Sequence, residues 1–389
     1  MTSARTRYAF VLVALVAVVT ATSRIAGSND GNGKPTEQPA FYAVRNLVSD
    51  GFVPAEHTDS QLLNAWGVAF NPNGFVWVAD NHSGVSTLYD GSGVKNSLVV
   101  AIPTHAGGTP PGSPTGIVFS SGADFVVKVG TLSGPARFIF ATEDGTISGW
   151  APNVDGTHAI RVIDNFPSGA IYKGLAFAAN GIGHFLYATD FHNNKIDIFD
   201  SNFQQVSSAG RFVDAKIPHG YAPFGIQNIL GNLYVTYAKQ DADAEDDVAG
   251  PGFGFVDVFD ANGALIRRFA THGQLNAPWG IALAPADFGR FSNALLIGNF
   301  GDGRINAFDL ASGERLGSLH MPDGKAVSIE GLWGMQFGNG LMNQPVNTLF
   351  FAAGPGDEEH GLYGRIDPAP GSGSGKDKDK DKDNDNDND

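Results

Sequence analysis

Short apolar runs recur along the chain at nearly even intervals, and each of them has glycine at its second position. The six glycines lie between 49 and 58 residues apart. The runs are WGVAF at 66–70, TGIVF at 115–119, KGLAF at 173–177, FGIQN at 224–228, WGIAL at 279–283 and WGMQF at 333–337. A spacing of about fifty residues is typical of a repeat architecture.

Further apolar segments follow each run and are separated from it by turn residues. The second segment is FVWVAD at 75–80 in the first unit, and GVSTLYD at 84–90 comes third. Turns such as DGSG at 90–93 indicate hairpins between these segments. A fourth segment is predicted in five units, namely SLVVAIP at 97–103, HAIRVID at 158–164, SAGRFVD at 208–214, ALIRRFA at 264–270 and RLGSLHM at 315–321. Six units of short antiparallel strands predict an all-β fold, a six-bladed β-propeller.

The sixth unit lacks a fourth segment of its own. Its third segment, GLYGRID at 361–367, is followed by a polar tail, whereas FYAVRNLVSD at 41–50 precedes the first unit and has no blade. We therefore predict ring closure by the N-terminal strand, which pairs beside GLYGRI. Closure removes the open sheet edges that a linear array would expose.

The two ends of the chain have compositions unlike a folded core. Residues 1–27 combine Arg5 and Arg7 with an apolar run of about a dozen residues, which predicts a secretory signal peptide because a membrane-spanning helix needs ~20. An uncleaved anchor is the alternative. The predicted organisation is then a flexible leader at 28–40, the propeller at 41–367 and a disordered Gly/Ser and Lys/Asp/Asn tail at 368–389. We expect a secreted or periplasmic protein without a stable membrane span after signal cleavage.

Composition narrows the classes of partner. The 389 residues include 51 glycines and no cysteine, and the formal net charge is −15. Abundant glycine agrees with many tight turns, and a chain without cysteine must be held together by its core and by ring closure. An acidic chain is poorly suited to a phosphate backbone, so we expect no nucleic acid partner. We expect a monomer that presents one propeller face to a small molecule, a glycan or a protein.

Several long motifs resemble a known family. They include VADNHSGVSTLYDG at 78–91, YVTYAKQDADAEDDVAGPG at 234–252, LNAPWGIALAP at 275–285 and GNFGDGRINAFD at 298–309. The chain resembles, over residues 42 to 366, a group of secreted and mainly bacterial conserved hypothetical proteins. More distantly, it is similar to NHL-repeat propellers and to gluconolactonase and strictosidine-synthase-like propellers. The resemblance implies the propeller fold and brings no activity with it.

Polar residues concentrate in two sets of loops, one after the second strand of each unit and one before the inner strand. In a four-stranded meander both sets lie on the same face, which predicts a ligand-binding mouth at the axis. The candidate residues are Asn64, Asp80, Asn81, Lys173, Asp190, Asn276, Asn299, Asp302 and Glu330. Turn hydrogen bonds are the alternative role for the Asp and Asn residues, and a salt bridge is the alternative for Lys173. Trp66, Trp279 and Trp333 either stack on a ligand or pack between blades.

One loop, QDADAEDDVAGPG at 240–252, concentrates carboxylates and suits a hard cation such as Ca²⁺, the one candidate cofactor. Its candidate metal ligands are Asp241, Asp243, Asp246 and Asp247. The loop lacks the distant glutamate of an EF-hand, and an exposed, solvated loop is the alternative.

Two classes of function remain. The sequence has no cysteine, no G-x-S-x-G and no H-E-x-x-H, which favours an extracellular ligand- or protein-binding module. The alternative is a calcium-dependent lactonase-like hydrolase acting at the axial mouth. Gluconolactonase-like propellers hold a cation near the axis with acidic and amide side chains, and this part of the alternative comes from the resemblance alone.

Overall fold

Six antiparallel sheets form the blades of a propeller in residues 39–370, the part of the chain that this computed structural model describes. The described chain begins with β1 (Phe41–Ser49) and β2 (His57–Thr58). Blade 1 consists of β3 (Ala65–Phe70), β4 (Val76–Asp80), β5 (Val85–Tyr89) and β6 (Val100–Ala101). Blade 2 consists of β7 (Pro114–Phe119), an inserted hairpin of β8 (Val126–Val129) and β9 (Leu132–Pro135), and then β10 (Phe138–Thr142), β11 (Thr146–Trp150) and β12 (Ile160–Asp164).

The remaining blades repeat this meander. Blade 3 consists of β13 (Tyr172–Ala179), β14 (His184–Asp190), β15 (Lys195–Asp200) and β16 (Gln205–Val206). Blade 4 consists of β17 (Tyr221–Ile229), β18 (Asn232–Lys239), β19 (Phe255–Phe259) and β20 (Leu265–Thr271). Blade 5 consists of β21 (Pro278–Leu283), β22 (Leu295–Asn299), β23 (Ile305–Phe308) and β24 (Arg315–Ser318), and blade 6 of β25 (Leu332–Phe337), β26 (Leu349–Ala353) and β27 (Leu362–Ala369). Two short 3₁₀ helices span Phe166–Ser168 and Gly289–Phe291.

The N-terminal strand closes the ring, as the sequence predicts. β1 pairs with β27 in antiparallel register from Phe41 opposite Ala369 to Ser49 opposite Leu362. The inner strand β25 of blade 6 contacts β3 of blade 1, so the last blade also meets the first at the axis. Tyr42 of β1 is fully buried and donates a hydrogen bond of 3.1 Å from its hydroxyl to the carbonyl oxygen of Phe288 in blade 5. The closing strand therefore ties blades 5 and 6 together.

The repeated glycines explain how closely the inner strands approach each other. A Cβ atom on Gly225 would lie 2.1 Å from the carbonyl oxygen of Trp279 in the next blade. The same collision with the backbone of the next inner strand would occur at 2.9 Å or less for Gly67, Gly116, Gly174, Gly280 and Gly334. Real Cβ atoms do not come that close, so each blade requires glycine at this position.

Apolar side chains on both faces of the blades form the core. All five residues of β4 are buried, and Val76 and Val78 pack with Phe350 and Tyr363 of blade 6. On the other side of the same blade, Trp77 stacks on Phe138 of blade 2 with 3.9 Å between ring centroids. Because each blade is covered on both faces, its strands are apolar along their length rather than alternating.

Some predicted elements differ in the structure. The predicted fourth strand at 208–214 in blade 3 is wrong, because that blade ends in β16 at Gln205–Val206 and the chain then turns through Gly210 at φ 73°. The hairpin β8–β9 and the parallel pairing of β1 with β2 follow no feature of the repeat and were not predicted. β27 extends to Ala369, two residues beyond the predicted end of the propeller at 367.

The predicted signal peptide, most of the predicted leader and nearly all of the predicted tail lie outside the described residues. Within residues 39–370, no helix has the length and apolar character needed to cross a membrane.

Candidate functional site

A cluster of aromatic side chains closes the axis at the face where the inner strands begin. Trp66 and Trp333 are stacked with 3.5 Å between ring centroids, and Phe300 stacks on the other side of Trp333 at 4.0 Å. Trp279 packs edge-on against both tryptophans. Trp66 and Trp333 are 1% exposed, so they fill space between blades and have no open face for a ligand.

Polar side chains and main-chain groups form a chain of hydrogen bonds around the mouth above this aromatic plug. The Asn64 amide donates to Glu358 at 2.9 Å, and the backbone NH of Asn81 donates to the carbonyl oxygen of Asn64 at 3.0 Å. The Asn81 amide donates to Glu143 at 2.9 Å, and Glu143 is bound in turn by Lys173. The chain of contacts crosses from blade 6 through blades 1 and 2 to blade 3. We call Glu143, Lys173, Asp246, Asp247 and Glu358 the axial cluster.

Lys173 is the cation at the centre of the axial cluster. Its Nζ lies 2.6 Å from a Glu143 oxygen, 2.9 Å from an Asp246 oxygen and 5.3 Å from the centre of the Trp66 ring. Burial by itself would lower the pKa of Lys173, but the charges of Glu143 and Asp246 and their hydrogen bonds outweigh burial and raise it. Lys173 therefore stays charged, and the salt bridge considered from the sequence is present.

The acidic loop reaches the axis because it is a hairpin extension of β18 and β19. Gln240 and Asp247 form a bridge between its two sides, and the Gln240 side chain donates at 2.7 Å to the carbonyl oxygen of Phe191 beside the aromatic plug. Asn276 of the following blade accepts a hydrogen bond of 2.6 Å from the NH of Gly250. These contacts hold Asp246 over Lys173, and Asp247 lies deeper in the cluster.

Two carboxyl groups of the axial cluster have strongly raised pKa values. Burial raises the pKa of Asp247 from 3.8 to about 7, against the Lys173 charge and with the help of Glu358. Burial also raises the pKa of Glu358 from 4.5 to about 7; the hydrogen bond from Asn64 opposes the shift and the charge of Glu143 adds to it. Burial therefore favours the protonated forms of Asp247 and Glu358 near neutral pH, in a cluster where four carboxyl groups share one lysine.

Strained backbone and unpaired polar atoms also mark this position. Asn64 and Glu358, which bind each other, have φ angles of 46° and 67°, in the left-handed region; asparagine adopts this region comparatively often, but glutamate seldom does. Asn64 is 1% exposed, and its Oδ1 has no hydrogen-bond partner. Asp247 Oδ2 and the ring NH groups of Trp66 and Trp333 are also buried without a hydrogen-bond partner. Buried polar atoms are rarely left unpaired without a reason.

Three of the predicted mouth residues lie inside their blades instead of facing the axis. Asp80 accepts hydrogen bonds from the backbone NH and hydroxyl of Thr87 at 3.0 and 2.8 Å, and burial raises its pKa. Asp190 accepts from Asn193, and Asn299 donates to the carbonyl oxygen of Gln274 at 2.7 Å. All three residues lie at the end of the second strand of their blade. Their contacts are the turn and loop hydrogen bonds that the sequence offered as the alternative role.

The other predicted mouth residues are divided between different places. Asn64, Asn81 and Lys173 are brought together at the axial cluster, and Asn276 holds the acidic loop from outside the cluster. Asp302 receives a hydrogen bond of 3.0 Å from Asn299. Glu330 accepts from the NH of Gly356 at 3.0 Å and lines a separate cleft between blades 5 and 6.

The structure divides the four predicted metal ligands of the acidic loop between two environments. Asp241 accepts a hydrogen bond of 2.9 Å from the NH of Glu245, and Asp243 is exposed to solvent. Asp246 and Asp247 belong to the axial cluster. In residues 39–370, no group of three or more His, Cys, Asp or Glu side chains has the arrangement needed to hold a metal ion.

Glu143 and Glu358 are the cluster residues that the candidate set from the sequence omits. Both follow a second strand, Glu143 in TEDG at 142–145 and Glu358 in GPGDEEHG at 354–361, and the same position in blade 1 supplies Asn81. Position in the repeat therefore indicated which loops carry the cluster residues. It did not indicate which carboxylate in each loop turns toward the axis, because that depends on the positive φ of Glu358 and on bonds to other blades.

Comparison with known proteins identifies close relatives. Uncharacterized protein R648 of Acanthamoeba polyphaga mimivirus is 35% identical over 339 residues, which is 85% of this chain and 82% of that protein. Uncharacterized protein L690 of the same virus is 34% identical over 342 residues, 85% of this chain and 87% of that protein. No protein-family model matches the chain. These viral relatives lend no support to the bacterial and secreted character that the motif resemblance implied.

Solved structures agree with the propeller fold. A glucose dehydrogenase has a TM-score of 0.50 and 13% identity, over 83% of this chain and 99% of that chain. A gluconolactonase from Xanthomonas campestris has a TM-score of 0.43 and 17% identity, over 75% of this chain and 82% of that chain. At 13% identity the likeness to the glucose dehydrogenase concerns the fold alone. The chain belongs to the family of β-propeller proteins that includes mimivirus proteins R648 and L690.

Proposed function

We propose that this protein is an exported binding module that receives a small, positively charged ligand at the axial cluster. The observation that carries the proposal is the unbalanced charge of the cluster, in which Glu143, Asp246, Asp247 and Glu358 surround the single cation of Lys173. A second positive charge would replace the protons that Asp247 and Glu358 hold near pH 7.

The solvent exposure of two carboxylates, the unpaired oxygen atoms and the net charge of the chain support this proposal. Lys173 is 3% exposed, whereas the side chains of Glu143 and Asp246 are 29% and 73% exposed, so the cluster opens to solvent on the side of these two carboxylates. Asn64 Oδ1 and Asp247 Oδ2 are buried and unpaired, so an ammonium group that enters the cluster would supply the hydrogen bonds that these oxygens lack. The net negative charge of the chain would also attract a cation over a longer distance.

The alternative function is a calcium-dependent lactonase-like hydrolase. The carboxylates and the Asn64 oxygen favour it, because Ca²⁺ prefers oxygen ligands. Lys173 opposes it, since its ammonium already binds Glu143 and Asp246 at the centre of the cluster. With Lys173 in place the residues do not fit a calcium ion that needs six to eight oxygen atoms. Calcium-dependent hydrolysis of lactones above the buffer rate would favour the alternative.

Calorimetric titration at pH 8 tests the proposed binding, because Asp247 and Glu358 are mainly ionised there. The probes are 1,4-diaminobutane, its neutral analogue 1,4-butanediol, and calcium chloride. We expect the diamine to bind and the diol not to bind, and we expect an Asp247→Asn, Glu358→Gln double variant to weaken diamine binding about tenfold or more.

The matched control is an Asp241→Asn, Asp243→Asn double variant, which removes the same charge from the outer side of the acidic loop. It should change the dissociation constant less than about twofold at physiological salt, because exposed charges are screened there. The proposal is overturned if neither cation binds at millimolar concentration, or if both double variants weaken binding equally. Calcium binding without diamine binding would favour the hydrolase.

A further inference from the structure

A cleft of about 660 Å³ lies between blades 5 and 6, on the face that carries the axial cluster. Val44 of the closing strand and Val53 of the following loop form one wall. Met321 and Ile329, in the segment that connects blade 5 to blade 6, line the opposite side, and Leu362 of β27 lies on the side of the closing strand. Small-molecule sites usually have volumes of ~300–1,000 Å³ and mostly apolar walls, and the cleft has both properties.

The charges at the cleft are not balanced. Glu56 lines the cleft, but Arg45 neutralises it through a two-point contact with both carboxylate oxygens at 3.0 Å. Glu330 is the other carboxylate in the lining and forms no ion pair within residues 39–370. Its Oε1 accepts one hydrogen bond from the NH of Gly356, which leaves Oε2 available to a ligand. The cleft thus combines apolar walls with one uncompensated negative charge.

We propose that this cleft is a second small-molecule site, and that it binds a monoamine with an apolar body whose ammonium group pairs with Glu330. The charge of Glu330 selects the amine, and the walls formed by Val44, Met321 and Ile329 bury the apolar part. The site exists only because β1 closes the ring, since Val44 and the loop that follows β1 supply one wall. The binding does not depend on the axial cluster.

The experiment titrates the full chain with 4-phenylbutylamine and, as matched probes, with neutral 4-phenylbutan-1-ol and anionic 4-phenylbutyrate. We expect the amine to bind about tenfold more tightly than the alcohol, because only the amine forms a charged hydrogen bond with Glu330. Glu330→Gln should abolish the difference between amine and alcohol. Ala55→Trp, which fills the cleft, should abolish binding of both.

Two further variants locate the probe. Glu359→Gln removes an exposed carboxylate from the neighbouring loop and should leave amine affinity unchanged. Glu358→Gln changes the axial cluster and reports whether the probe binds there instead. The proposal is overturned if the alcohol and the amine bind equally, if Glu330→Gln has no effect, or if the amine does not bind up to its solubility limit. Loss of amine binding in Glu358→Gln but not in Glu330→Gln would place the probe at the axial cluster and overturn the cleft site, even though it would support the first proposal.

Discussion

The inner ring of strands and the mouth above it are built in opposite ways, although they lie a few residues apart. In the ring, each blade repeats the same contact, in which a glycine such as Gly225 lies against the backbone of the next inner strand. In the mouth, the blades contribute different side chains, and only blade 3 has a lysine at the position of Lys173. Repetition produces a close-packed and apolar ring, whereas the differences between repeats produce a charged site.

This comparison predicts two kinds of response to substitution. Changes in the ring or its closure should lower the free energy of unfolding at every pH, because they alter packing. Changes in the mouth should have effects that depend on pH, because the carboxyl groups there change their charge between acid and neutral conditions.

The largest effect is expected for Tyr42→Ala in the closing strand. The ring of Tyr42 packs on Phe288 and Phe291, and its hydroxyl bonds to blade 5, so truncation should lower the free energy of unfolding by about 4 kcal/mol. Urea titrations at pH 5 and pH 8 should show the same loss. Phe52→Ala, at an exposed position, is the control and should cost less than about 1 kcal/mol. A loss below that value for Tyr42→Ala would show that β1 does not fasten the ring.

The next effect is expected for Gly225→Ala in the inner ring. The new Cβ would meet the carbonyl oxygen of Trp279 at 2.1 Å and Thr236 Oγ1 at 2.9 Å, so the strands must separate. We expect a loss of about 3 kcal/mol in the free energy of unfolding, measured by denaturant titration. Gly156→Ala introduces the same group where nothing lies within 4 Å and should be nearly neutral. Equal stability of the two variants would contradict the close approach of the inner strands.

Lys173→Met should have a smaller effect that increases with pH. Removal of the ammonium leaves four carboxyl groups without their cation, and we expect a loss of about 2 kcal/mol at pH 8, reduced because Asp246 is largely exposed. At pH 5 the loss should be smaller, since Asp247 and Glu358 are protonated there. Thermal unfolding at both pH values measures this difference. A loss that is identical at the two pH values would mean that Lys173 acts by packing alone.

Glu358→Gln should stabilise the protein above neutral pH. The folded state raises the pKa of Glu358 from 4.5 to about 7, so it binds more protons than the unfolded chain between these values. Stability therefore falls as pH rises through this window, and the full penalty is present above pH 7. The variant should gain about 1 kcal/mol at pH 8 and nothing at pH 4, after allowance for partial solvent screening. Glu359→Gln should show no such gain. A gain of the same size in this control would mean that the effect comes from net charge.

The repeat made the fold predictable, and the absence of repetition limited the prediction of the site. Six glycines at even spacing and an unpaired strand at 41–50 were sufficient for the six blades and their closure, because the same physical constraint acts in every blade. The strand predicted at 208–214 failed because an outer strand has no such constraint and a turn there replaces it. Asn64, Asn81 and Lys173 were identified among the mouth residues, although the contacts that join them cross three blades.

Glu143 and Glu358 illustrate what the sequence does not encode locally. Each lies in a loop with more than one carboxylate, and neither spacing nor residue type distinguishes Glu358 from Glu359. The difference arises from the left-handed backbone at Glu358 and from its bond to Asn64, nearly three hundred residues earlier in the chain. Asp80, Asp190 and Asn299 show the reverse case, since their regular place in the repeat serves the internal structure of the blades.

Proton release on binding of a cation tests the proposed role of the axial cluster most directly. Calorimetry with 1,4-diaminobutane at pH 7, repeated in buffers that differ in ionisation enthalpy, measures the number of protons exchanged. We predict net proton release from the native protein, because a bound cation lowers the pKa values of Asp247 and Glu358 from about 7, and no release from the Asp247→Asn, Glu358→Gln variant. Binding without proton release, or the same release from both proteins, would contradict the assignment of this cluster as the ligand site.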